Sequence, residues 1–231
     1  MMLRYNRLLR AVCAVSVTCS AFCAFAADLT VKMVDAEPPA EIAKELRDTL
    51  SGKALQLSGP DGTVAEFWFR KEIALKSKPS TSEEALDAMP EVSFVGVARY
   101  AKELRDFRDD PIDPGVYTMR AALQLNDGNH LGTAPTSWFV LLVPPKYDTA
   151  LSGIDSAKKL HDRSRSDSAA DHPWCINLQP TPESQSSGDF PKTGANEEWK
   201  LVYLKLPASV DGSGEKVEIT FGMVYEGHGK M

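Results

Sequence analysis

The stretch Gly115-Val-Tyr-Thr-Met-Arg-Ala-Ala-Leu-Gln-Leu125 decides the fold class. Tyr117, Met119, Ala121, Leu123 and Leu125 alternate with Val116, Thr118, Arg120, Ala122 and Gln124. A strand turns successive side chains to opposite faces, so this period-two run reads as a long β-strand. Tyr117, Met119, Ala121 and Leu123 are expected to point into the core. Val116, Thr118 and Arg120 then point outward or to a second layer. Asn126-Asp-Gly-Asn129 follows. Asn and Asp-Gly favour the positive φ of tight reversals, so a turn is expected there. Trp138 to Val143, "WFVLLV", supplies the antiparallel partner, and Pro144-Pro145 closes it.

The same signals recur on both sides. Leu29 to Val34 alternates. Ala54-Leu-Gln-Leu57 and Val64 to Arg70 flank Gly59-Pro-Asp-Gly62 and read as a hairpin. Val92 to Val97, "VSFVGV", is the continuous apolar run of a strand covered on both faces. Trp174 to Leu178 reads as a short strand, and Trp199 to Leu206 pairs with Lys216 to Tyr225 across Asp211-Gly-Ser-Gly214. Helical signals are few. Pro38-Pro39 opens a helix with Ile42, Leu46 and Leu50 on one face and Gly52 as its cap. Ser80-Thr-Ser-Glu83 reads as a capping box ahead of Leu86 and Met89. Residues 148–171 read as part short helix and part loop. The charged run 99–115, including "RDFRDD", reads as a solvated surface excursion. Residues 179–196, rich in Pro, Ser and Gly, read as a flexible surface loop. Short strands punctuated by Gly and Pro, with two or three short helices, predict a mainly β chain. The expected architecture is an antiparallel immunoglobulin-like β-sandwich in a single domain over residues 27–231.

The N-terminus reads as an address. Arg4, Arg7 and Arg10 precede an uncharged apolar run from Ala11 to Phe25, and Ala24-Phe-Ala26 supplies a small-x-small cleavage pattern. The run is shorter than the roughly 20 residues of a spanning helix. A signal peptide over residues 1–26 is therefore expected, with export to the periplasm or the exterior. Its removal takes three arginines and no acid, moving the net charge from −6 to −9. Such an acidic chain has no long-range attraction for nucleic acid or an anionic membrane. Three of the four cysteines lie in the signal, leaving Cys175 as a core residue without a disulfide framework.

The span Asp113-Pro-Gly-Val-Tyr-Thr-Met-Arg120, running on to Asp127-Gly128 and His130, resembles the periplasmic copper-carrier immunoglobulin-like sandwiches. That resemblance implies that Asp127 and His130 can ligate Cu(II). Asn129 stands between Gly128 and His130, and the mature chain would begin Ala27-Asp28. The strings "GVYTMRAALQLNDGNHLGT", "FVLLVPP", "HPWCINLQP" and "GMVYEGH" are similar to a group of uncharacterised exported β-rich proteins of environmental bacteria. That similarity implies export and a β-rich fold.

Among the four histidines, His130, His172 and His228 each sit where a β-element meets a loop. With Asp127 they form the candidate metal set for Cu or Zn, if one end of a sandwich gathers them. His161 lies in a charged segment and reads as solvated. No Gly-x-Ser-x-Gly elbow or phosphate-binding loop occurs. His172 and Cys175 would project to opposite faces of a strand, which argues against a thiol–imidazole pair. The expectation is therefore a non-enzymatic exported module that binds an unknown protein or small ligand. The alternative is a periplasmic metal-binding protein, and no cofactor is equally expected. Mass spectrometry of the exported protein should find an N-terminus at Ala27, within a residue or two. An intact Met1 on a membrane-embedded chain would overturn this.

Overall fold

A computed structural model describes residues 29–124, 134–168, 172–195 and 199–227. The chain begins with β1 (Thr30–Asp35), α1 (Lys44–Arg47), β2 (Leu50–Gly59), β3 (Gly62–Arg70), β4 (Ile73–Leu75) and α2 (Ser82–Ala88). It continues with β5 (Phe94–Tyr100), β6 (Leu104–Arg105), β7 (Pro111–Ile112), β8 (Gly115–Leu123) and β9 (Trp138–Val143). Then come α3 (Ala157–Ser164), β10 (Cys175–Pro180), β11 (Lys192–Ala195), β12 (Trp199–Val210) and β13 (Lys216–Gly227). The chain is mainly β. No described helix is long and apolar enough to cross a membrane.

Ten strands join in one hydrogen-bonded path, β1-β2-β3-β5-β8-β9-β10-β13-β12-β11, β4 pairs in parallel with β12, and β6 and β7 form a separate antiparallel pair. Every step along the path is antiparallel. The result is a curled ten-strand half-barrel, where the two separate sheets of an immunoglobulin-like sandwich were expected. The reason is β10. Its residues Cys175 to Asn177 pair with β9, while Leu178 to Pro180 pair with β13. One strand thus belongs to both halves and turns the sheet between them, as corner strands do.

Inside the curl lies the main core, where Leu55, Phe67, Met119, Leu142, Val202 and Phe221 meet. Helix α2 closes it with Ala85 and Leu86. That helix starts one residue later than expected. Thr81 is the N-cap and accepts a hydrogen bond from the Glu84 amide at 3.1 Å, while the Glu84 carboxylate accepts from the Ser80 amide at 2.6 Å. The outer face is not left to solvent. Near β2, β3 and β5 it is covered by α1, with Ile42 and Leu46 packed on Trp68 and Val97. Leu50 joins this cluster as the first residue of β2, so Gly52 is a strand residue and not a helix cap. Cover on both faces explains the continuous apolar run of β5, six of whose seven residues are buried. It also forces close backbone approach. A Cβ on Gly96 would lie 2.2 Å from the Trp68 carbonyl oxygen.

β8 follows its expected alternation, with Tyr117, Met119 and Ala121 in the inner core. It pairs with β9 from Thr118↔Val143 to Leu123↔Trp138. Leu123, expected inside, is 45 % exposed, because the strand end runs past its cover. Thr118 and Arg120 turn to the outer layer and are buried there at 0 % and 1 % exposure. The buried charge is fully matched. Arg120 donates to Asp148 from Nε at 2.8 Å and Nη2 at 2.7 Å, and to the carbonyls of Val92, Ala150 and Leu151 at 2.7–3.0 Å. All five guanidinium donors are used. The Thr118 hydroxyl donates to Asp148 at 2.7 Å.

Two other expectations are corrected. The run 99–115 is not a solvated excursion, since Asp106, Phe107 and Ile112 are buried. It carries its own counter-ions, with Arg108 held between Asp106 and Asp110 at 2.9 and 3.1 Å. The stretch 179–196 is not wholly loop. β10 extends to Pro180, and Lys192–Ala195 forms the edge strand on β12.

Replacing Asp148 by Ala strands a buried guanidinium and should cost about 3–5 kcal/mol of unfolding free energy. Urea denaturation of Asp148→Ala reads this directly. A loss under about 1 kcal/mol, the value of a solvent-exposed pair, would contradict the burial.

Candidate functional site

The outer face of β8, β9 and β10 carries Ala122, Phe139, Leu141, Val143 and Cys175, the residues out of phase with the inner core. Helix α3 lies over this face through Leu160, which is fully buried. The Ser156 side chain caps the helix by accepting from the Lys159 amide at 3.4 Å. At the other end the Ser164 hydroxyl donates to the Leu142 carbonyl at 2.7 Å and ties the helix to β9. Arg163 donates to the carbonyls of Tyr147 and Gly153. From the opposite side Phe107 packs on Phe139, with ring centroids 5.5 Å apart. A close approach of β13 sets its position, because a Cβ on Gly227 would lie 2.3 Å from the Phe107 Cα.

With only eight residues, α3 covers part of the face. Among the described residues, a cavity of about 520 Å³ remains between α3, Phe107 and the sheet. Its floor and walls are apolar, built from Phe107, Ala122, Phe139, Leu141, Pro173 and Cys175. Polar groups reach it from two directions. Arg108 comes from the 106–110 turn, and Lys158, His161, Asp162 and Arg165 come from α3 and the residue after it. His172 stands exposed at the edge. The volume falls in the range of small-molecule pockets, with an apolar floor and a polar rim.

Beneath Arg108 lies a buried polar hub. Asp106 accepts from the amides of Arg108 and Asp110 at 2.8 and 3.1 Å, and from the Arg108 guanidinium at 2.9 Å. The Cys175 thiol donates to the same carboxylate at 3.4 Å. Burial pushes the Cys175 thiol well above its ordinary pKa, and the Asp106 charge pushes it further. The cysteine is a protonated floor residue rather than a nucleophile. At the rim the hydrogen bond from Lys158, reinforced by Arg165, holds Asp162 below the usual carboxylate range.

Of the histidine set, the structure places His172 at this cavity. His130, His228 and Asp127 lie outside the described residues, as does the expected turn 126–129. Among the described residues no three His, Cys, Asp or Glu side chains gather to hold a metal ion. His161, read as solvated, is half-buried and lines the cavity. Phe107, Arg108 and Arg165 belong to no motif that marks them as site residues in the sequence. One signal for the helical side was present. Lys158, His161, Asp162 and Arg165 fall at i, i+3, i+4 and i+7, a single helix face. No protein-family model, curated protein or solved structure matches the chain.

In the folded protein Cys175 should resist iodoacetamide at pH 8, and urea should make it react at the rate of a free thiol. Mass spectrometry of the Cys175 peptide checks this. Rapid native alkylation would contradict the buried, protonated thiol.

Proposed function

We propose that this protein is an exported, non-enzymatic binding module that holds a small apolar ligand in the cavity under α3. One observation carries the reading: a two-ring wall, Phe107 and Phe139, on an outer sheet face that a short helix leaves partly uncovered. Filling that space with protein side chains would bury more apolar surface and stabilise the fold. A cavity of this volume is the expected cost of keeping room for a ligand. The charged groups support the same reading. Asp106 is saturated by amide, guanidinium and thiol donors, so it holds the wall in place and is not presented as a general base. Export rests on the N-terminal pattern of Arg4, Arg7, Arg10 and Ala24-Phe-Ala26.

The neutral fluorophore N-phenyl-1-naphthylamine tests it. Its emission should rise on binding to the wild type. Filling the cavity with Ala122→Phe or Ala134→Trp should weaken binding about tenfold or more, since a packed site has no room for a drug-sized ring system. Met33→Trp, on the exposed face of β1, should leave binding unchanged. Equal binding by all four proteins would place the fluorophore elsewhere and refute the proposal. Metal analysis of the untagged protein distinguishes this reading from a Cu or Zn site built on His172 with His130, His228 and Asp127.

A further inference from the structure

The geometry points to an anionic amphiphile, a long-chain monocarboxylate, as the ligand of this cavity. The inference rests on the binding reading above and adds the chemistry of the ligand's head. Four formal charges line the cavity: Arg108, Lys158 and Arg165 are positive, and Asp162 is negative. The positive groups are not equivalent. Arg108 is already matched from behind by Asp106 and Asp110. It is 14 % exposed and serves as wall.

The surplus sits on the helical side. Lys158 reaches Asp162 at 2.6 Å and Arg165 reaches the same carboxylate at 3.1 Å. Two cations share one anion, which leaves one positive charge unmatched at the mouth. Among the described residues beside α3, the other carboxylates are already engaged. Asp155 pairs with Lys159 at 3.4 Å, and Asp167 pairs with Lys146 at 2.8 Å. Lys158 and Arg165 are also solvent-accessible, at 86 % and 50 % exposure, and keep donors for a ligand. An apolar wall ending in one unmatched cation fits a hydrocarbon or aryl body with a single anionic head. A neutral alcohol would leave the cation unmatched, and a quaternary amine would oppose it.

Displacement of N-phenyl-1-naphthylamine at pH 8 compares heads on one tail. Dodecanoate should compete about tenfold more strongly than dodecanol, the scale of a charge-assisted hydrogen bond. Dodecyltrimethylammonium should compete least. Added salt should shrink the difference. The double variant Lys158→Gln/Arg165→Gln should lose the preference, with dodecanoate and dodecanol competing equally. Equal competition by dodecanoate and dodecanol in the wild type would overturn the inference, as would a preference that survives in the double variant. In both cases intact fluorophore binding leaves the cavity reading standing, whereas absent fluorophore binding defeats both. Phosphatidylglycerol vesicles form the last arm. Co-sedimentation with them, without competition by free dodecanoate, would mean a bilayer surface and overturn the free-acid ligand.

Discussion

The structure depends on one buried ion pair. Arg120 stands in the middle of β8, and its side chain turns away from the inner core that its neighbours Met119 and Ala121 enter. At 1 % exposure its charge would be prohibitively costly alone. Asp148 meets it in a two-point contact, and three carbonyls take the remaining donors. Those carbonyls belong to Val92, just before β5, and to Ala150 and Leu151, after β9. The guanidinium therefore fixes where the chain runs once it leaves the sheet. Since α3 begins only at Ala157, this anchor also sets the path into the helix that roofs the cavity. A pair of apolar residues of equal volume can pack as stably, but it would not specify which carbonyls come together.

The second constraint is a sheet covered on both faces. A single curled sheet with one solvated face needs alternating strands. Here β5 and β9 carry apolar residues at nearly every position. Each therefore demands cover outside as well as inside. The curl and α2 provide the inner cover; α1, α3 and the 106–110 turn provide the outer one. The outer cover is made of short pieces, and the cavity lies where two of them fail to meet. Its floor is thus as rigid as the sheet. Its charged rim belongs to the short pieces, which tolerate substitution without disturbing the strand pairings.

The same division separates the two kinds of charge around the cavity. Asp106 and Asp110 share Arg108 in a largely buried turn, which leaves one negative charge on that side, and the group contributes shape. Lys158, Asp162 and Arg165 are exposed, and their sum leaves one positive charge at the rim. A buried charge must be matched within the protein, while an exposed one can be matched by a ligand. The placement of each group therefore decides its part in recognition.

Much of the strand pattern was legible in the residues alone. Period-two alternation located β8, Gly59 to Gly62 located the β2–β3 hairpin, and the apolar run of β9 identified its antiparallel partner. These are local effects, set by side-chain direction and turn chemistry over a few residues. The helix before β2 was read one element too long, because Leu50 serves the same apolar cluster from a strand as it would from a helix. "RDFRDD" does not mark a solvated segment, because its charges are partnered by one another rather than by water, Arg108 by two aspartates. Whether the strands form two sheets or one curled sheet was not legible either. It turns on Cys175 to Pro180 dividing their hydrogen bonds between β9 and β13, and backbone donors carry no side-chain signature. The cavity is likewise a tertiary fact. It exists because Phe107, Phe139 and α3, distant in sequence, approach one another without closing, and no local pattern encodes the gap between them.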